Sequence, residues 1–91
     1  MNEIFFDSVK PSDVKLQLGA WCKSLRQRKG ISQEELATNL NLSRVTIHHL
    51  ESGRNSTLET FLKVLNHFQE LEGLYAYLTE KTAEKDVKSL Y

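Results

Sequence analysis

The sequence predicts an all-α domain of five helices around one small core, and three observations carry that prediction. Ser32 is followed three residues later by Glu35, the reciprocal pair that caps a helix N-terminus. Val14, Leu18, Trp21 and Leu25 recur at i, i+4, i+7 and i+11, the mark of one buried helical face. The run Asn39-Leu40-Asn41-Leu42 breaks the apolar period just before Ser43, a residue suited to capping a further helix.

Bulk properties narrow the class. At 91 residues the chain is one small domain, near the lower size at which a core suffices without staples. One cysteine excludes an internal disulfide and fits a reducing, cytoplasmic compartment. No apolar run approaches the ~20 residues of a membrane span, and the N-terminus has no signal-peptide pattern. The formal net charge is zero, which counts against a nucleic-acid partner. Its distribution counts the other way. Residues 23–54 carry two Lys and four Arg against three Glu, net +3, between flanks of net −1 and −2. Local sign governs phosphate attraction more than the total does.

Residues 1–12 form an arm with Ile4, Phe5 and Phe6 that ends in Pro11-Ser12 and has room for a short strand. Adjacent phenylalanines are costly to leave in water, which favours packing on this chain or a second subunit over a frayed arm. The first helix should start near Ser12 or Asp13 and run to about Lys29, with Cys22 beside its stripe as a small core residue. Gly30 should end it and Ile31 turn back into the core. In the second helix Leu36, Ala37 and Leu40 face inward, and Asn41 is suited to the left-handed turn residue. The third, capped by Ser43, should bury Ile47 and Leu50 and stop at Gly53.

The fourth should begin at Ser56 with Glu59 as capping partner and turn Leu58, Phe61, Leu62, Leu65 and Phe68 inward. A short fifth, about 72–78, carries Leu74, Tyr75 and Leu78; Tyr75 and Tyr77 fall on different faces, so one can join the core and the other an interface. Residues 79–91 lack a sustained apolar period and are expected to be mobile or loosely helical. The chain thus divides into an arm (1–12), a domain (13–78) and a polar tail (79–91).

Three fragments in order, GISQEELA, LSRVTI and LESG, resemble the helix-turn-helix of lambda-repressor-like, Cro/Xre-type regulators over roughly Leu18 to Phe68. The resemblance implies a five-helix DNA-binding domain whose helices 2 and 3 are the helix-turn-helix, with the second of them in the major groove. By alignment with phage repressors the base-reading positions are Arg44, Val45 and His49, with His48, also on the outer face, as a fourth candidate. Arginine can bond guanine O6 and N7 bidentately, valine can press on a thymine methyl, and histidine can donate to guanine.

Gln33 matches a position that grips phosphate in the family, and Arg54 and Asn55 resemble its second phosphate clamp. Ser43 and Thr46 can add hydroxyl contacts that set register without choosing sequence. Arg26 and Glu51 match a partly buried ion pair of structural role; Glu51 lies only about 40° from Ile47 around the helix. The resemblance further implies a homodimer on a palindromic operator of double-stranded DNA. The run TLETFLKVLNHFQELEGLYAYL resembles HipB-like antitoxins, which also hold a kinase-like toxin partner.

Plainer readings stand beside these. Val45, His48 and His49 could be mere surface, and the zero net charge suits a protein-interaction module that keeps the fold without binding DNA. His48, His49, His67 and Cys22 have no ligand spacing, so no metal is expected. No nucleophile–base pair or Gly-rich phosphate loop stands out, so neither an enzyme, a cofactor nor a small-molecule ligand is expected.

Overall fold

Five helices follow one another in the computed structural model, which describes residues 8–89 and the side chains of 8–83. They are α1 (Pro11–Arg28), α2 (Gln33–Leu40), α3 (Arg44–Glu51), α4 (Leu58–His67) and α5 (Leu71–Ser89). Among the described residues there is no strand and no helix long and apolar enough to cross a membrane. The expectations for Ile4, Phe5 and Phe6 lie outside the described residues.

α1 begins slightly earlier than Ser12. Pro11 takes the first helical position, where a missing N–H is no loss, and the Asp13 carboxylate accepts the Lys10 N–H at 2.9 Å. Ser32 and Glu35 form the expected reciprocal cap of α2, with bonds of 3.0 and 2.9 Å. The α4 cap is corrected by one residue: Thr57, not Ser56, accepts the Thr60 N–H at 3.0 Å.

Four helices stop in the same way. Gly30, Asn41, Gly53 and Gln69 all have positive φ, between 59° and 75°. Each donates its N–H to the carbonyl three residues back, and the next residue donates to the carbonyl five back. This paired closure satisfies the last carbonyls and turns the chain sharply. Ile31 and Leu42, the residues after two of these turns, fold back against the core.

The core is built from Cys22 and Leu25 of α1, Leu36 and Ala37 of α2, Ile47 and Leu50 of α3, Phe61, Val64 and Leu65 of α4, and Phe68 just after it. Two inward assignments need correction. Val14 is 47% exposed, and the buried stripe of α1 starts at the half-buried Leu18. Trp21 packs half-buried against the core as expected and meets Phe61 edge-on, with ring centroids 6.2 Å apart. Leu58 is 70% exposed, because it opens α4 beyond the edge of the core and lines a groove with Lys15, Leu18 and Arg54. Val64 takes a fully buried place instead.

The largest departure is α5, which has 19 residues and does not stop near residue 78. The stretch after Leu78 contains no Gly or Pro and is rich in Lys and Glu, so intrinsic propensity does not stop the helix there. The missing apolar period reflects exposed side chains over residues 79–83, not the end of the helix. Leu71 and Leu74 lie against the core, while Tyr75 and Tyr77 are both exposed, so neither joins the core.

Candidate nucleic-acid interface

α2 and α3 are joined by Asn41, Leu42 and Ser43, with Asn41 in the left-handed conformation. Ser43 Oγ accepts the Thr46 N–H at 3.1 Å, and the two hydroxyls lie 2.8 Å apart. α3 buries Ile47, Leu50 and Glu51. Its other side is open: Arg44 and His48 are exposed, Val45 is 54% exposed and His49 is half-buried. The His48 and His49 rings stand 6.3 Å apart on neighbouring faces.

The seat of α3 is a backbone-to-backbone crossing. A methyl group added at Gly19 of α1 would come within 3 Å of the carbonyl oxygens of Leu50 and Glu51. Only glycine lets the two helices approach so closely. One added at Gly53 would likewise meet the Leu16 backbone at 2.9 Å. Gly19 was not singled out in the sequence, although an interior helical glycine costs about 1 kcal/mol against alanine and so asks for a packing reason.

Beside this crossing lies the expected ion pair. Arg26 Nε donates to Glu51 Oε2 at 2.7 Å and Nη2 to Oε1 at 2.9 Å, while Nη1 donates to the Ile31 carbonyl at 2.9 Å. The Glu51 side chain is only 3% exposed. The bonds to Glu51 push the Arg26 guanidinium above its already high range, against the opposing effect of burial. Burial, and then the Glu51 charge, push the neighbouring Cys22 thiol up to about 12, so it packs as an inert protonated group.

The pair reaches outward through Gln33. Gln33 Nε2 donates to Glu51 Oε1 at 3.0 Å, and Gln33 Oε1 accepts from Arg44 Nη1 at a longer 3.4 Å. Arg26, Glu51, Gln33 and Arg44 are therefore one connected series, drawn from three helices. Arg54 and Asn55 are exposed in the loop after α3. There Lys15 Nζ donates to Asn55 Oδ1 at 2.9 Å, which turns the Asn55 amide nitrogen away. Nothing in the sequence marked Lys15, because its partner lies forty residues on.

Two short helices meeting through a left-handed Asn41, the second seated on Gly19 with one side open to solvent, define a helix-turn-helix domain. A family model described as helix-turn-helix matches residues 23–73, more than half of the chain. The chain belongs to this family, of the Cro/Xre type. A protein of Methanocella arvoryzae named "Putative HTH-type transcriptional regulatory protein" is similar, at 50% identity over 46 residues. That stretch covers 50% of this chain and 14% of the relative, so the chain spans about a seventh of that protein. No solved structure matches the chain.

Proposed function

We infer that the chain is a sequence-specific DNA-binding transcriptional regulator that lays α3 in the major groove. The observation that carries this is the two-sidedness of α3: Ile47, Leu50 and Glu51 hold one side, and Arg44 and Val45 leave the other by its N-terminal end. In this geometry N-terminal residues of the second helix meet base edges. Arg44 reads a G·C pair, Val45 a thymine methyl, and His49 and His48 the next positions. Gln33, Ser43, Thr46, Arg54 and Asn55 lie at or beside the helix starts and the following loop and take phosphates.

One such helix pair covers little DNA, so tight binding needs two half-sites about one helical turn apart. A homodimer on a palindromic operator, repressing by occupying its promoter in the cytoplasm, satisfies that need. The apolar groove of Leu62, Leu71, Leu74, Tyr75 and Leu78 between α4 and α5 supports a dimer contact there. The same run is the one that resembles HipB-like antitoxins, and on that reading it also holds a kinase-like toxin. Co-expression with a neighbouring kinase-like gene tests this, and separate elution of the two proteins removes the antitoxin assignment.

The zero net charge favours one other reading, an interaction module that does not bind DNA. A salt titration on random duplex decides between them. A steep negative log–log slope supports DNA binding, and a slope near zero supports the module. In site selection from a random pool, Arg44→Ala is expected to relax one base pair per half-site, by about 1–3 kcal/mol of discrimination, without lowering the melting temperature. An unchanged preference would remove Arg44 from the reading set.

A further inference from the structure

We propose that Glu51, acting through Gln33, positions Arg44 for base reading, so that the buried pair has a part in specificity as well as in folding. This rests on the DNA-binding reading above and assigns two positioning residues to the same surface.

The argument starts from which atoms can face which. A carboxylate only accepts, and Glu51 Oε1 already takes Arg26 Nη2 at 2.9 Å. The Gln33 atom 3.0 Å from Oε1 must therefore be the amide nitrogen. That choice fixes the rest of the amide, since its carbonyl oxygen has to point the other way. Its outward end is an acceptor, and Arg44 supplies the donor through Nη1. Without Gln33 the acceptor facing Arg44 is gone, and without the Glu51 carboxylate nothing sets which end of the amide points outward.

The bond lengths grade the relay. At the buried end the distances are 2.7–3.0 Å and the carboxylate is sealed from solvent. At the outer end the distance is 3.4 Å and Arg44 is exposed. The inner links hold, and the outer one restricts Arg44 without locking it. One guanidinium nitrogen is engaged by Gln33, which leaves the other two for a base edge. Restricting a flexible side chain before binding removes part of the ordering cost that binding would otherwise meet. The second amide hydrogen of Gln33 is still available to a phosphate, so the two roles of Gln33 are compatible.

Site selection from a random duplex pool, followed by affinity measurement on the four single-base variants at each position, tests the relay. Wild type, Arg44→Ala, Gln33→Ala, the double variant, and Arg26→Met with Glu51→Met are compared. The paired Met variant removes both charges together, so that neither is stranded. Gln33→Ala is expected to weaken all sites and also to lower discrimination about 2- to 10-fold at the base pair that Arg44→Ala relaxes. The double variant should be no more relaxed there than Arg44→Ala alone, and the Met pair should relax the same position.

Uniform weakening by Gln33→Ala, with no change of preference, would overturn the relay while leaving the DNA-binding reading intact. A wild-type chain that enriches no sequence overturns both. If the Met pair does not fold, the side-chain signals of Gln33 in the labelled free wild type decide Glu51's part. A single amide environment, protected from exchange, supports it; a freely averaging, unprotected amide overturns it.

Discussion

The two ends of this molecule are held by different physics. Where α1 crosses α3, backbone meets backbone at Gly19, and a buried bidentate ion pair closes the contact within a few ångströms. Where α5 leaves the domain, Leu71 and Leu74 touch the core, and the next turn turns Tyr75 out at 73% exposure. The first contact is complete within the chain and holds α3 at one angle. The second leaves an apolar side uncovered, on a helix that its own residues can sustain. On the function proposed above, a helix that reads base edges gains from the first kind of contact, and a dimer face gains from the second.

That contrast can be broken most severely at Arg26. Arg26→Ala leaves the Glu51 carboxylate buried without its partner and should cost about 3–5 kcal/mol in a urea or thermal melt. An unaltered melt would mean that the pair contributes nothing to the fold. Gly19→Ala comes next. By helix propensity alone it should stabilise by about 1 kcal/mol, yet the carbonyls of Leu50 and Glu51 stand in the way of the new methyl. Forcing α1 off α3 should reverse the sign and cost about 1–3 kcal/mol. A gain in stability would show that the crossing is not tight.

A pH effect follows, and at neutral pH it is silent. The Cys22 thiol titrates near 9.0 in the unfolded chain and at about 12 in the native one, so the unfolded state loses its proton first. Its contribution is complete below pH 9 and is lost as pH rises from 9 towards 12. Melts of the wild type and Cys22→Ala over that range should differ in slope, and parallel curves would remove the burial argument. Smallest of all, Leu78→Glu should change monomer stability by less than about 0.5 kcal/mol while lowering self-association in sedimentation. A large loss of stability there would place α5 in the core after all.

Much of this was legible in the chain because it rests on local chemistry. The Ser32–Glu35 cap, the left-handed Asn41 and the stop at Gly53 each involve residues three to five apart, within reach of any sequence reading. The same rules slipped by one residue at Thr57, where two hydroxyl residues stand side by side and only packing chooses between them. They failed at residue 79, because apolar periodicity reports burial, and the side chains of residues 79–83 are all exposed.

By itself, then, the sequence determined the number of helices, their order and three of the turns between them, since each follows from short-range bonds and spacing; the family came from the resemblance of three fragments to known regulators. Only the tertiary structure decided that Gly19 is the crossing point, that Lys15 meets Asn55, and that Gln33 joins the buried Glu51 to Arg44. Those contacts bring together residues up to forty positions apart, and their geometry exists only once the helices have been set at one angle to each other.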